Sequence, residues 1–268
     1  MTTTNYLSVC KKAAYAAGEV LREKLGSVTA KHKSNRFDLV TEADVTAQKT
    51  IEKIIFDNFP THQIIGEEET TIQENNKNSD FKWIIDPLDG TTNYVHGLPF
   101  FCVSIALAQN NEIICGTIYN PVTDEFFHAE KNQGAFLNNK QIHTSSCQSL
   151  DEALVSVGFP TIIDPDSQEI QLLLRACPQC QAIRRTGSTA LNLAYIASGR
   201  LDAGWAFKCH VWDIAAGVLL IKEAGGIITE PNNSPINIQN DPTPFCAAAN
   251  KTLHNSLIKD IVGIANIF

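Results

Sequence analysis

The sequence has no long apolar run, no block of like charge and no composition break, and each of these gaps removes a class of protein. No stretch approaches the ~20 consecutive apolar residues that a bilayer span requires, so a membrane protein is not expected. Residues 1–5 and the polar-faced helical pattern after them lack the apolar core of a signal peptide, which points to a cytoplasmic location. The formal net charge is -8 and Lys and Arg are not clustered. Binding a phosphate backbone needs such clusters, so nucleic acid is not expected as a partner. No Pro/Gly/Ser-rich linker, internal repeat or low-complexity tract divides the chain. The eight cysteines lie scattered, mostly in apolar segments such as Phe101-Cys102-Val103 and Phe245-Cys246-Ala247. In a reducing compartment these read as small core residues. Cys177 and Cys180 have the spacing of a metal or redox pair, but no second pair and no nearby His completes a zinc site.

What remains is an ordinary globular composition, with 44% hydrophobic and 19% charged residues over 268 positions. That length can bury the core of one large domain or of two closely packed halves. Apolar residues at three- and four-residue steps predict a helix over 5–25, ended by Gly26. A second helix is expected from Thr41, where Thr41-Glu-Ala-Asp44 forms a capping-box pattern, to Pro60. Short apolar runs follow at Trp83–Ile85, Val103–Leu107, Ile113–Cys115, Gly116–Tyr119 and Phe126–Phe127, with a turn at Asn138-Asn139. The second half alternates. Strands are expected at Leu154–Val157, Ala182–Arg184, Asp202–Phe207, Ile227–Thr229 and Phe245–Ala249. Helices are expected over 168–177, 188–198 and Asp213–Ala224, and from about 252 onward. Two sheets layered with helices would accommodate this order, as one compact unit (1–268) with subdomains near 1–150 and 151–268.

The strongest chemical signal is Trp83-Ile-Ile-Asp86-Pro-Leu-Asp89-Gly-Thr-Thr-Asn93. An apolar strand ending in Asp86, an extended break at Pro87 and a tight Asp89-Gly90 turn would face two carboxylates into one cavity. The amides of Gly90, Thr91 and Thr92 would then open the next element, and a helical turn there would seat a phosphate. Carboxylates and a peptide carbonyl are hard oxygen donors, suited to magnesium rather than zinc. Two further acidic segments join them. Ile64-Ile-Gly66-Glu67-Glu68-Glu69 puts acids after a short strand, and Trp212-Asp213 opens a helix whose positive end would favour a carboxylate.

Together these positions resemble the inositol monophosphatase family of magnesium-dependent, lithium-sensitive phosphatases. The resemblance runs from Lys33 and Asp38-Leu-Val-Thr-Glu-Ala-Asp44 through Gly66-Glu67-Glu68 and the Asp86–Asn93 block. It continues through Arg185-Thr-Gly187-Ser188 and Trp212-Asp213-Ile-Ala-Ala-Gly217 to Glu223-Ala-Gly-Gly226. It implies an alternating layered α/β fold, an α-β-α-β-α sandwich, with two to three Mg2+ ions per site. By the family pattern Glu67, Asp86 and the Leu88 carbonyl hold the first metal. Asp86, Asp89 and Asp213 hold the second, and Glu67 with water holds a weaker third. Thr91 paired with Asp44 orients and deprotonates the attacking water, and Glu67 is counted with them as catalytic. Asp89 and the Gly90-Thr91-Thr92 amides face the phosphate, with Gly187, Ser188, Thr189 and Ala206 on the substrate side. Lys33 and Glu68 stand behind the metals. A homodimer and lithium inhibition come with the family.

The substrate side departs from the family. In inositol-selective members an acidic residue seven positions before the Trp-Asp aspartate contacts inositol hydroxyls, and here that position is Ala206. Losing such a charge-assisted hydrogen bond weakens selectivity by ~1.5–3 kcal/mol. Inositol 1-phosphate is the first expectation. Histidinol phosphate, fructose 1,6-bisphosphate and 3'-nucleotides are the alternatives on the same metal core, and a non-catalytic regulatory protein is the alternative of another class. Lys208, His210 and Arg184-Arg185 are candidates for reading a second polar or anionic group.

Overall fold

A computed structural model describes residues 6–33, 35–68, 76 and 79–263. The periodic N-terminal segment forms helix α1 (Tyr6–Lys24), with Cys10, Ala13, Ala14, Ala17 and Leu21 on its buried face; position 5 of the expected helix lies outside the described residues. A two-stranded hairpin of β1 (Lys31–His32) and β2 (Leu39–Val40) leads into α2 (Glu42–Asn58). Thr41 caps α2 as expected, and Asp44 accepts from the Thr41 amide at 2.8 Å to close the capping box.

Strands β3 (Gln63–Gly66), β4 (Phe81–Asp89), β5 (Cys102–Gln109), β6 (Glu112–Asn120), β7 (Glu125–Glu130), β8 (Ala135–Leu137) and β9 (Lys140–Ile142) form a seven-stranded sheet in sequence order. Only the β3–β4 pair is parallel. A five-residue helix α3 (Thr91–Val95) follows β4. The second half supplies β10 (Leu154–Val157), α4 (Gln168–Ala176), β11 (Ala182–Arg184), α5 (Thr189–Ala197), β12 (Ala203–Ala206), α6 (Val211–Glu223), β13 (Ile227–Thr229), β14 (Phe245–Ala248) and α7 (Lys251–Ser256). Its five strands run in the order β11-β10-β12-β14-β13.

Strand periodicity sorts the core into layers, because alternate side chains point to opposite faces. Trp83 and Ile85 of β4 pack with Ile51, Ile55 and the alanine face of α1. Ile84 between them packs on the other side with Leu191 of α5 and Ile214 of α6. In the smaller sheet, Phe245 and Ala247 join this middle layer, while Cys246 and Ala248 face Leu172 of α4 and Leu253 of α7. The result is the α-β-α-β-α sandwich: α1 and α2, seven strands, α5 and α6, five strands, then α4 and α7. No helix among the described residues is long and apolar enough to cross a membrane.

Three boundaries differ from the sequence reading. The strand does not stop at Asp86; β4 continues to Asp89 with a register shift against β5 between Asp86 and Asp89. Pro87 is tolerated at this irregularity because it has no N–H to give a ladder. Ile113–Cys115 and Gly116–Tyr119 are one strand, β6. Helix α6 starts at Val211 after an N-cap at His210, so Asp213 is its third residue rather than its first. The Asn138-Asn139 turn is present, both residues having positive φ as a tight hairpin demands.

Candidate active site

The irregular end of β4 meets the start of α3 and two loops of the second half. Gly90 caps α3 at φ 101°, a left-handed conformation that glycine adopts without strain. The amides after it fall in the first helical turn, where no intrahelical acceptor exists. Asn93 anchors this turn from within, donating to the Phe100 carbonyl at 2.7 Å and the Thr186 carbonyl at 2.8 Å. The tie to Thr186 brings the Gly187-Ser188-Thr189 segment beside the β4 terminus.

Three aspartates are held there by protein donors. Asp86 is buried, and one of its oxygens accepts from the Leu88 amide at 2.9 Å. Asp89 accepts from the Ser188 hydroxyl and the Ala190 amide, both at 2.6 Å. Asp213 accepts from the His210 amide at 2.7 Å. For Asp86 and Asp213 the second oxygen has no donor among the described residues. Burial pushes the Asp86 carboxyl well above the usual range, and the charges of Glu67, Asp89 and Asp213 push it further. Burial and the Asp89 charge raise Asp213 likewise. Asp89 is pushed up to about 6 by burial, with its bonds from Ser188 and Ala190 working against the shift.

One cation, Lys33, stands at the edge of this cluster. The Lys33 ammonium donates to Glu67 at 2.7 Å and also contacts Glu68. Burial opposes the Lys33 charge, but the two carboxylates outweigh it and raise its pKa. Thr91 donates to Asp44 at 3.1 Å, with the Leu88 carbonyl at 3.2 Å as a second acceptor. Asp44 is fully buried and raised, chiefly by that burial, although the Thr41 hydroxyl and amide both hydrogen bond to it. It therefore serves both as the capping acid of α2 and as the partner of Thr91.

A cleft of about 580 Å³ opens over these groups, lined on the acidic side by Glu67, Asp89 and Asp213. Its outer wall comes from Gly158–Thr161, Ala206 and Lys208–His210. Lys208 pairs loosely with the buried Glu169 carboxylate at 3.6 Å, and His210 bonds Asp241 at 2.7 Å and stacks on Trp212. Arg185 lies over the Phe159 ring, 5.4 Å from its centroid. Thr189 and Ala206 line the cleft, whereas Gly187 and Ser188 act from behind it. Glu69 lies outside the described residues. The 158–161 loop was not singled out from the sequence; it has no periodicity and reaches the cleft only through the β10 end. All eight cysteines are free thiols, with Cys177 exposed and Cys180 buried, and burial pushes the Cys180 thiol up to about 11.

The donor set fits a hard divalent cation. Burial and neighbouring carboxylates raise all three aspartates, and Asp86, Asp89 and Asp213 have no ion-pair partner among the described residues. Buried charges of one sign are normally paired or metal-bound. Among the described residues no three Asp, Glu, His or Cys side chains already stand as a closed ligand cage. Lys33 holds Glu67 by a direct ion pair. Oxygen donors alone, with the Leu88 carbonyl beside them, suit magnesium.

The fold and the acidic cleft place this chain among the layered α/β phosphoric monoester hydrolases. The Thermotoga maritima IMPase superposes with a TM-score of 0.87 at 33% identity, over 97% of this chain and 98% of that one. The chain belongs to the inositol monophosphatase family, whose model matches residues 3–265. Among relatives, "Inositol monophosphatase 3" of Solanum lycopersicum is 39% identical over 263 residues, covering 95% of each chain. "Nus factor SuhB" of Pseudomonas aeruginosa is 39% identical over 230 residues, covering 84% of each.

Proposed function

We propose that this chain is a magnesium-dependent phosphatase that hydrolyses a small polyol phosphate, inositol 1-phosphate first among them. The observation that carries the reading is the meeting of Asp86, Asp89 and Asp213 beside the Gly90–Thr92 amides and the Thr91–Asp44 pair. Glu67, Asp86, Asp89, Asp213 and the Leu88 carbonyl would hold two to three magnesium ions. When bound, magnesium supplies positive charge for the phosphoryl oxygens and acidity for water.

The chain's own groups do the rest. The Gly90, Thr91 and Thr92 amides hold the phosphate. Thr91 donates to Asp44, which leaves its lone pairs to accept from the attacking water. As water attacks phosphorus in line with the leaving oxygen, its proton passes to Thr91 and the Thr91 proton moves to Asp44, while the phosphorus–oxygen bond to the substrate breaks and the departing alkoxide takes a proton from solvent water in the cleft. A raised carboxyl is the better base for this, and such proton transfer contributes ~10²–10⁴ in rate. Ser188 and the Ala190 amide keep Asp89 fixed, and Thr189 and Ala206 face the alcohol. Residues 1–150 thus supply the phosphate seat and most ligands, and residues 151–268 supply Asp213 and the alcohol-facing wall, as one catalytic unit. Lithium inhibition, a homodimer and a cytoplasmic location are the properties the family relationship supports.

Phosphate release from inositol 1-phosphate, histidinol phosphate, fructose 1,6-bisphosphate and adenosine 3',5'-bisphosphate tests the assignment. Magnesium-dependent release led by inositol 1-phosphate is expected. Release led by another compound would replace the substrate, and release that persists in chelator would overturn the mechanism.

A further inference from the structure

Glu67 and Glu68 leave β3 as a short segment, and one buried side chain of α2 grips that segment. Gln48, 1% exposed, donates its amide nitrogen to the Glu68 carbonyl at 2.6 Å and accepts the Glu68 amide on its oxygen at 2.9 Å. This two-point grip satisfies both backbone groups of one residue and dictates which way the Gln48 amide faces. The second hydrogen on that nitrogen goes to Glu52, one helical turn further along α2, at 3.0 Å. Glu52 is 2% exposed, and by accepting from the Gln48 amide it locks that amide in the gripping orientation. Gly66 lets the two elements close, because a Cβ there would lie 2.6 Å from the Gln48 oxygen. On its other side the segment is tied by the Glu67 amide, which donates to the Ile85 carbonyl at 3.2 Å, next to Asp86.

Asp44, Gln48 and Glu52 recur every four residues, so they share one face of α2. That face carries the Thr91 partner at one end and the grip on residue 68 at the middle. We propose that Gln48, oriented by Glu52, is a positioning residue that sets the Glu67 carboxylate relative to Asp86 and thereby sets magnesium affinity. The inference rests on the magnesium site argued above. Residues that orient ligands from behind change metal affinity or activity by about 10–100-fold when replaced. Packing alone would predict a loss of stability with no change in metal affinity.

The test is magnesium binding to the full-length protein by titration calorimetry, beside melting in chelator, for wild type, Gln48→Leu, Gln48→Asn and Glu52→Gln. Gln48→Leu should weaken magnesium binding roughly tenfold and raise the magnesium concentration needed for half-maximal rate, with the rate at saturating metal falling much less. Glu52→Gln keeps an acceptor for Gln48 and should bind nearly as wild type does. Gln48→Asn, a milder truncation, gives the same reading if the leucine variant fails to fold. Unchanged affinity in a Gln48 variant that melts lower would reduce the grip to packing and overturn the inference. A wild-type protein that binds no magnesium would overturn the metal site itself, which separates the two failures.

Discussion

The two walls of the cleft are built differently. On the phosphate side, Asp86, Asp89, Asp213 and Thr91 each have hydrogen-bonded positions set by backbone amides or buried partners. On the alcohol side, Lys208 and His210 are exposed, and their carboxylate partners hold them at the surface. The Lys208 contact is long, at 3.6 Å, and the Lys208 and His210 side chains are both more than half exposed. The first wall can therefore fix a reaction geometry, whereas the second can change its side chains at small cost to folding. On the proposed function, reaction type would rest on the first wall and substrate choice on the second.

Breaking the rigid wall should have the largest effect. Asp89→Asn and Asp213→Asn should each lower turnover by on the order of a thousandfold, the rate equivalent of ~4 kcal/mol of metal-derived stabilisation. Their melting points in chelator should hold or rise, since each removes a repelling charge. Collapse of the fold, read by a thermal melt, would make them structural. Thr91→Val keeps shape but removes the hydroxyl between water and Asp44, and should cost about 10²-fold in turnover with little change in magnesium affinity. A comparable loss of affinity would move Thr91 among the metal-holding groups.

The loose wall should answer in selectivity instead. Ala206→Glu should favour inositol 1-phosphate over glycerol 2-phosphate by ~10–100-fold, from one charge-assisted hydrogen bond. Position 206 lines the cleft, and Gly158 packs against it, since a Cβ on Gly158 would be 2.6 Å from the Ala206 Cβ. An unchanged ratio of kcat/KM would remove position 206 from the substrate contacts.

The smallest effect is on stability against pH. Asp89 is raised to about 6 in the folded chain, against ~3.9 for a free aspartate. Between these values the folded state binds more protons than the unfolded one, so stability falls as pH rises. In chelator the melting point should drop from about pH 4 to pH 6, and saturating magnesium should remove the drop. A melting point that rises over that window would contradict the raised carboxylates.

Much of the rigid wall was legible because its groups are local in sequence. Asp86, Asp89 and Thr91 sit on one strand end and turn, and the capping box at Thr41–Asp44 declared the start of α2. The Asp213 helix was placed two residues late because His210 does not resemble the usual N-cap residues. Gln48 and Glu52 were not legible as site residues: in an amphipathic helix they read as polar positions, and only the approach of Gly66 from β3 turns them inward. The Phe159 loop escaped for a similar reason, since its place in the cleft depends on β10 pairing with β12, some fifty residues further along.

The most direct test of the magnesium site is calorimetry of wild type and Asp89→Asn with magnesium, read against phosphate release from inositol 1-phosphate in the same buffer. Wild type should bind magnesium and release phosphate only with it, while Asp89→Asn should lose most of both. Magnesium-independent release, or equal binding by the two proteins, would contradict a carboxylate-held metal as the centre of the chemistry.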